Sequence, residues 1–470
     1  MAHDAPRLRV REIELLERAV RLRLPFRFGV VTLTEAPQAF VRARIEFEDG
    51  RSAWGAAAEL MAPKWFDKNL ALSNDDNFEQ LRAVLRIARE ATLADAMPAT
   101  AFGHFARTYD ACLAEGAQAG FNPLLASYGP ALVDRAVLDA LCRGEGVSFY
   151  RALQANLPGI GPIHPEFAGF DFDGFLAARR PATSIAVRHT VGLVDAITQA
   201  DLRERVNDGL PETLEEVVRA YGHRHFKLKV GGQVDADLQR LEAIAAVLDR
   251  MDEPYVATLD GNEQYDSAQG VQALVDAVRS RPALARLWNS ILFIEQPIAR
   301  KHALEVPLDA RALGKPVIID ESDGTLDSFV QARARGYEGV SSKTCKGLYK
   351  SVLNAARCAA WNAAEGRPRY FMSAEDLTTQ AGLAVQQDIA LVNLLGIDHV
   401  ERNGHHYVNG LSAVPEAEQQ AFARAHPDLY TTREGAVRLD IRAGRLAIGS
   451  LDCTGFASAA LPDFSAMRPL

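Results

Sequence analysis

Five short apolar segments, each with a charged residue at its end, constrain the fold more than any other feature of the chain. They read FKLK (226–229), TLDGN (258–262), FIEQP (293–297), IIDES (318–322) and GVSSK (339–343). The successive intervals are 31, 35, 25 and 23 residues between Lys229, Asp260, Glu295, Asp320 and Lys343. Each interval fits one strand plus one returning helix. If these strands form one parallel barrel, all five polar ends lie at its C-terminal mouth, where such barrels carry their chemistry.

Segments typical of strands and helices alternate from residue 184 onward. The candidate strands lie at 184–191, 226–230, 255–260, 291–295, 316–320, 339–343, 369–373 and 397–401. Amphipathic patterns over 235–250 and 350–366 predict helices between strands. Eight parallel strands with helical crossovers predict an α/β fold with a closed TIM-type barrel over residues 184–404.

Residues 1–150 have a different pattern, which predicts a separate α+β domain. Alternating apolar and polar residues within 8–60, with the turn sequence EDGR at 48–51, indicate strands. Apolar stripes over 77–96 and 131–146 indicate helices.

Two further segments connect to these domains. Residues 151–183 are rich in Pro, Gly and aromatic side chains without a clear period, and they are interpreted as a linker or an ordered loop. Residues 405–470 are expected to return to the first domain, and 436–450 has the pattern of a hairpin.

Composition and charge narrow the classes of function. The net charge of −9 and the lack of a long Lys/Arg block argue against a nucleic-acid partner. The five cysteines are scattered and lack C-x-x-C spacing, which argues against a disulfide framework or a zinc site. Neither a signal-like apolar segment near the N-terminus nor a run of about 18 apolar residues is present. We therefore expect a cytoplasmic protein without a membrane partner, and a homo-oligomer is the default expectation.

Three lysines are candidates for proton transfer. Lys227 and Lys229 are two residues apart, so on a strand they share one face, and Lys343 ends a strand on the far side of the predicted barrel. Neighbouring ammonium groups lower each other's pKa, which allows a lysine to act as a general base. Alternatively, the K-x-K pair lies on a solvated edge strand and Lys343 is an ordinary surface lysine.

Three carboxylates are candidates for a metal site. Asp260, Glu295 and Asp320 end three successive predicted strands, and an all-oxygen ligand set suits Mg²⁺, with Mn²⁺ as an alternative. Taken singly, each carboxylate also fits a turn, a strand end or a helix cap. Asp320 and Glu321 lie at the same strand end, so either of them is a candidate for the third ligand.

Together these motifs resemble those of the enolase superfamily, and their order is most similar to its muconate-lactonising branch. That branch has K-x-K on the second barrel strand, D-x-N, E-Q-P and D-E-S on the next three, and a lysine on the sixth. The corresponding residues here are Lys227-Leu-Lys229, Asp260-Gly-Asn262, Glu295-Gln-Pro297, Asp320-Glu-Ser322 and Lys343. The mandelate-racemase branch instead has a His on the seventh strand and an Asp on the sixth, whereas FMSAED lacks the His and GVSSK lacks the Asp.

The resemblance implies a modified (β/α)7β barrel with an N-terminal capping domain completed by the C-terminal tail. It makes Asp260, Glu295 and Asp320 the Mg²⁺ ligands and Lys229 and Lys343 the acid/base pair, with Lys227 as an additional positive charge. The segments at 25–32 and 55–65 correspond to the specificity loops of the capping domain. Further candidates for substrate contact or for support of these groups are Asn262, Glu321, Lys346 and Glu375.

The expected function is abstraction of the proton α to a substrate carboxylate through a metal-stabilised enediolate. Opposed lysines fit racemisation, epimerisation, cycloisomerisation or β-elimination of a small carboxylate. The alternatives are an acid-sugar dehydratase of the same superfamily, a catalytically silent enolase-like binding protein, and a Schiff-base aldolase. The residues His189, His399, His405 and His406 are expected to be loop or pocket residues, because no H-x-x-x-H spacing supports a metal site.

Overall fold

A computed structural model describes residues 5–28 and 31–470 of the chain. Its strands are β1 (Leu8–Phe28), β2 (Val31–Phe47), β3 (Ser52–Leu60), β4 (Ser184–Val191), β5 (His225–Lys229), β6 (Val256–Asp260), β7 (Ile291–Glu295), β8 (Val317–Ile319), β9 (Gly339–Ser342), β10 (Phe371–Ala374), β11 (His399–Arg402), β12 (Tyr430–Arg433), β13 (Ala436–Leu439), β14 (Arg445–Ala447) and β15 (Arg468–Pro469).

The helices connect and cover these strands. They are α1 (Asn74–Ala94), α2 (Ala101–Gln118), α3 (Pro123–Ala126), α4 (Tyr128–Gly144), α5 (Phe149–Gln154), α6 (Phe172–Ala177), α7 (Leu214–Tyr221), α8 (Val234–Leu248), α9 (Ala268–Ser280), α10 (Ala285–Ser290), α11 (Arg300–Ala303), α12 (Ala310–Leu313), α13 (Ser328–Ala334), α14 (Leu348–Glu365), α15 (Leu383–Leu394), α16 (Gly404–Tyr407) and α17 (Glu416–Ala425). Among the helices of the described residues, none is both long enough and apolar enough to span a bilayer.

The N-terminal part is an antiparallel sheet covered by helices. Its strand order is β15-β1-β2-β3, and the predicted turn at 48–51 joins β2 to β3. Helix α4 packs tightly on β3, because Gly55 has no side chain there. A Cβ at Gly55 would lie 2.1 Å from the backbone nitrogen of Ala140. This β-rich cap carries the segments that reach over the barrel.

The second part is a barrel of parallel strands in the order β10-β9-β8-β7-β6-β5-β4-β11. The end strands β10 and β11 lie beside each other, so the sheet curls into a barrel, although the paired register does not continue between them. Each of the eight strands predicted after residue 184 is present, with ends shifted by at most two residues. The predicted α/β fold class is therefore confirmed.

The hydrophobic core joins the cap to the barrel. One cluster contains cap residues such as Val41 and Leu132 together with Val352 of α14 and Ile389 of α15. A second cluster fills the space between strands β5–β9 and the outer helices. The cap is thus packed against one side of the barrel.

The segment 151–183 is ordered around buried aromatic side chains. Phe167 and Phe172 are buried, and their ring centroids are 5.2 Å apart. The end of α5 and all of α6 lie within this segment.

The C-terminal part differs from its prediction in one respect. A hairpin within 436–450 was predicted. A tight turn is present there, closed by an antiparallel bridge between Arg442 and Arg445, but the strands on either side pair elsewhere: β13 pairs with β12, and β14 adds antiparallel to β4 of the barrel. The turn between β12 and β13 has φ values of 48° at Glu434 and 74° at Gly435. Two such residues form the tight turn favoured in hairpins. The turn that follows β13 has the same form, with φ values of 48° at Ala443 and 69° at Gly444. The last strand, β15, pairs with β1 of the cap.

Candidate active site

The strand register brings the predicted residues to one level of the barrel. Lys229 pairs with Asp260 across β5 and β6, and Asp260 pairs with Glu295 across β6 and β7. Because side chains alternate along a strand, Lys227 points to the same interior face as Lys229. All four side chains are at most 6% exposed.

Lys227 is the centre of a buried network of charges. Its Nζ lies 3.0 Å from Oδ2 of Asp260 and 2.8 Å from Oε2 of Glu295. It also donates to Oε2 of Glu375 at 2.7 Å and to Oε2 of Glu401 at 2.9 Å. One ammonium group therefore faces four carboxylates from four different strand ends.

Asp320 forms a second network on the other side of the barrel. Lys343 donates to its Oδ2 at 2.6 Å, Lys346 donates to its Oδ1 at 3.3 Å, and Ser341 donates to Oδ1 as well. Lys346 also pairs with Asp323 at 3.2 Å. Asp320 is thus held between two ammonium groups.

The E-Q-P and D-E-S motifs support each other through Gln296. Its Oε1 accepts from the backbone nitrogens of Asp320 and Ser322 at 2.8 and 3.0 Å, and its Nε2 donates to Oγ of Ser322 at 2.8 Å. Gln296 has a φ of 33°, an uncommon value for a residue other than glycine. These contacts fix the end of β8 relative to the end of β7 and thereby orient the carboxylates.

Asn262 and Glu321 form a smaller contact beside these networks. Nδ2 of Asn262 donates to Oε1 of Glu321 at 3.1 Å, whereas Oε2 of Glu321 is buried without a hydrogen-bond partner. Burial and the nearby carboxylate of Asp320 raise the pKa of Glu321 to about 7. Lys68 of the cap donates to the backbone oxygen of Asn262 at 2.7 Å.

The lysine pKa values differ from the sequence-based prediction. Burial alone would lower the pKa of Lys227, but the carboxylates of Asp260 and Glu295 raise it well above its usual value. Burial likewise opposes the effect of Asp320, whose carboxylate raises the pKa of Lys343. A depressed pKa was predicted from the neighbouring ammonium groups, and for these two lysines this is wrong, because carboxylates contact each ammonium group directly.

The pKa values of the three candidate metal-binding carboxylates are shifted in different directions. Burial raises the pKa of Asp320, but Lys343 and Lys346 outweigh it and hold this pKa well below its usual value. For Asp260, Lys227 and Lys229 likewise outweigh burial and lower the pKa. Burial and the charges of Asp260 and Glu375 raise the pKa of Glu295 well above its usual value. Negative charge is therefore in excess around Glu295.

Glu401 is a site residue that the sequence prediction missed. It is the next-to-last residue of β11, accepts from Oγ1 of Thr190 at 2.5 Å and from the backbone nitrogen of Asp376 at 2.9 Å, and contacts Lys227. The available signal was the same as for the other carboxylates, a charged residue at the end of a barrel strand. Glu375, which was predicted, is bound by Arg188 of β4, and Arg188 together with Lys227 lowers its pKa to about 2 against the effect of burial.

The cap and the barrel enclose a small cavity, and Lys229 and Lys343 both line it. Lys229, Lys343 and Glu401 form its barrel side, and Leu33 and Trp65 belong to its cap side. Nζ of Lys343 lies 4.3 Å from the centroid of the Trp65 ring. The volume is about 20 Å³, enough for one water molecule, so a substrate requires the walls to move apart.

The two cap segments predicted as specificity loops, 55–65 and 25–32, both lie near the cavity. The segment 55–65 supplies Trp65, whose backbone oxygen accepts from Arg300 of the barrel at 2.7 Å. The segment 25–32 supplies Phe26 to the cavity wall, and its residues 29 and 30 lie outside the described part of the chain.

The donor set fits a hard divalent cation. Asp260, Glu295 and Asp320 offer carboxylate oxygens in a buried site with excess negative charge around Glu295, and Glu321 has an unpartnered oxygen nearby. The carboxylates are not gathered tightly. Among residues 5–28 and 31–470, the group with three possible ligand atoms within 4.8 Å of one another is His189, His223 and His405. Lys227 lies between Asp260 and Glu295 instead.

Comparison with known proteins adds to this geometry. Residues 209–417 match the family model described as enolase C-terminal domain-like. No curated protein sequence matches the chain.

Solved structures with similar folds cover nearly the whole chain. A putative sugar isomerase of the enolase group from Streptomyces coelicolor is 15% identical with a TM-score of 0.60, covering 96% of this chain and 94% of its own. Dipeptide epimerase from Enterococcus faecalis, solved with Mg and the dipeptide L-Leu-L-Tyr, is 14% identical with a TM-score of 0.59 (96% and 99% covered). Muconate lactonizing enzyme from Pseudomonas fluorescens is 17% identical with a TM-score of 0.58 (99% and 100% covered).

These matches confirm the resemblance that the motifs suggested. Residues 209–417 match the enolase C-terminal domain-like family model, and the chain shares its fold with solved enolase-type structures, among them a muconate lactonizing enzyme.

Proposed function

We propose that this chain is a Mg²⁺-dependent enzyme that removes the proton α to the carboxylate of a small substrate. The observation that carries the proposal is the cavity lined by both Lys229 and Lys343, next to Asp260 and Asp320. Removing a proton from one face of a carbon and returning one to the other face needs a group on each side, and these two lysines come from separate strands of the barrel, β5 and the end of β9.

Asp260, Glu295 and Asp320 would hold the cation, with Glu321 as the alternative third ligand. Asp320 is the better candidate, because Lys343 and Lys346 keep it ionised while the pKa of Glu321 is about 7. When bound, Mg²⁺ supplies positive charge that stabilises the second negative charge developing on the substrate carboxylate. Mn²⁺ has the same preference for oxygen ligands.

The three lysines have two different roles in the proposed reaction. Lys227 keeps its proton, because four carboxylates surround it, and it adds a fixed positive charge at the floor of the site. Lys229 and Lys343 accept or return the proton at the α-carbon from opposite faces. Lys343 can accept a proton only after it has released its own, either to the substrate or to solvent. Its contact with Asp320 opposes that release.

The wall of the cavity orients the substrate and excludes water. Trp65 covers Lys343 from the cap side and is 2% exposed, so the reacting carbon is shielded from solvent. Exclusion of water strengthens the electrostatic interactions within the site. The enzymes of similar fold include an epimerase and a muconate lactonizing enzyme, and this favours racemisation, epimerisation or cycloisomerisation over dehydration.

The test is a screen of carboxylic acids in D₂O. Dipeptides, N-acylated amino acids, acid sugars and muconolactone-like acids would be incubated with the protein and Mg²⁺, and mass and NMR spectra recorded. We expect deuterium at the α-carbon of at least one class, and loss of this exchange when a chelator removes the metal. A dehydratase would be recognised by loss of water from an acid sugar. Binding without any exchange across these classes would contradict the proposal.

A further inference from the structure

A cluster of histidines lies on the outside of the barrel wall, away from the site at its mouth. Arg188 and Thr190 of β4 reach Glu375 and Glu401 inside the barrel. Since side chains alternate along a strand, His189 between them faces outward. There it meets His223, which precedes β5, and His405 of α16.

The three imidazole rings form a nearly equilateral triangle. Their centroids are 5.3 Å apart for His189 and His223, 5.3 Å for His189 and His405, and 5.2 Å for His223 and His405. One ligand nitrogen from each ring lies within 4.8 Å of the other two. Nδ1 of His189 and Nε2 of His405 are 3.3 Å apart. Two nitrogens bound to one tetrahedral Zn²⁺ at about 2.0–2.1 Å lie about 3.3–3.4 Å apart, so this pair already has the required spacing.

His223 presents a lone pair to the cluster. Its Nδ1 lies 3.2 Å from the backbone oxygen of Val187, and a carbonyl oxygen only accepts, so Nδ1 carries the proton. Nε2 therefore has a free lone pair, and it is buried with no hydrogen-bond partner, on a side chain that is 0% exposed. A histidine that donates its other ring N–H to a backbone carbonyl is the usual arrangement of a metal ligand.

Burial also keeps these histidines in the form that binds metal. Burial lowers the pKa of His223 to about 4 and holds the pKa values of His189 and His405 well below the usual value. No carboxylate of the described residues contacts these imidazoles to balance the positive charge that a protonated ring would carry. The nearby cations are already paired, Arg23 with Asp208 and Arg402 with Asp388.

We propose that His189, His223 and His405 form a binding site for a Zn²⁺-like divalent transition-metal ion, separate from the carboxylate site in the barrel. Three imidazole ligands leave a fourth position for water. His405 and Tyr221 border a cavity of about 210 Å³, which gives the ion a path to the site. The bound ion would tie β4, the start of β5 and the segment after β11 together.

Cobalt spectroscopy with matched variants tests this site. Chelator-treated protein would be supplied with excess Mg²⁺, to occupy oxygen sites, and then titrated with Co²⁺ and Zn²⁺. We expect one equivalent of Co²⁺ to give the intense visible absorption of a tetrahedral nitrogen site, and Zn²⁺ to displace it. His405→Gln should weaken Zn²⁺ binding by at least about tenfold. The controls are His302→Gln, a histidine outside the cluster, and Glu295→Gln in the carboxylate site, and both should bind as the wild type does.

Three results would overturn the proposal: no tetrahedral Co²⁺ absorption in the wild type, an unchanged affinity for Co²⁺ and Zn²⁺ in His405→Gln, or absorption lost in Glu295→Gln. Circular dichroism verifies that each variant is folded. The unfolding temperature of the wild type provides a second test that does not depend on whether a variant folds. Zn²⁺ with Mg²⁺ in excess should raise the unfolding temperature and saturate at one equivalent. An unchanged unfolding temperature contradicts the site as well.

Discussion

Replacing Lys227 by methionine should destabilise the metal-free protein in a strongly pH-dependent way. Lys227 is 1% exposed, and its Nζ lies 2.7–3.0 Å from carboxylates of four residues. At an effective dielectric constant of about 20, one such contact corresponds to about 6 kcal/mol of Coulomb attraction before desolvation. Lys227→Met leaves four buried carboxylates without this partner, and removing one partner of a buried pair costs about 3–5 kcal/mol.

The dependence on pH follows from the protons that the carboxylates take up. In Lys227→Met the folded-state pKa values of these carboxylates rise above their unfolded values, so stability is retained at low pH and lost as the pH rises. Glu295, whose pKa is already raised in the wild type, should be protonated first. We expect a loss of about 4 kcal/mol near pH 8, and a loss of roughly half that near pH 5.

Urea unfolding in the presence of a chelator measures these free energies. The matched control is Lys68→Met, since Lys68 pairs with Glu263 at 2.5 Å but is 26% exposed, and Glu263 keeps Arg300. Its loss should be below about 1 kcal/mol and should vary little with pH. Mg²⁺ should restore stability more in Lys227→Met than in the wild type. A loss below about 1 kcal/mol near pH 8, or one that does not change with pH, would refute the buried charge network.

Two further changes test other parts of the structure. Burial raises the pKa of Glu59 from 4.5 to about 7, so its contribution to stability is present below pH 4.5 and lost as the pH rises toward 7. The unfolding free energy of the wild type relative to Glu59→Gln should fall by about 3 kcal/mol over that window, and a constant difference would contradict the raised pKa. Gly55→Ala places a Cβ 2.1 Å from the Ala140 nitrogen, so urea unfolding should show a loss of about 3 kcal/mol or more, and an unchanged midpoint would contradict the close packing.

The barrel and most of its site could be predicted because each relevant residue ends a strand. Apolar runs fix where strands lie, and the end of a parallel strand fixes the mouth, so Lys229, Asp260 and Glu295 follow from position alone. Glu401 was within reach of the same rule but lies in the segment HVERNG, between a histidine and an arginine that drew attention away from it.

Other features depend on pairings that the sequence does not encode locally. The pKa of Lys343 is raised because Asp320, 23 positions earlier, contacts it at 2.6 Å, and a rule based on neighbouring lysines predicted the opposite. His189, His223 and His405 are far apart in the chain, and the absence of a helical H-x-x-x-H spacing gave no indication that they would meet. The hairpin at β12 and β13 was missed because its turn is a non-glycine residue, Glu434, followed by Gly435.

The most direct test of the central claim is α-proton exchange in D₂O by the single and double lysine variants. With a substrate class identified and Mg²⁺ present, Lys229→Met and Lys343→Met should each lose exchange with one enantiomer or epimer and keep it with the other. The double variant should exchange neither. Lys315→Met is the control, because its ammonium group donates to the backbone oxygen of Ile291, at the opposite end of β7 from Glu295, and lies 5.1 Å from the centroid of the Trp288 ring. Exchange retained by the double variant would contradict the assignment of these two lysines as the opposed bases.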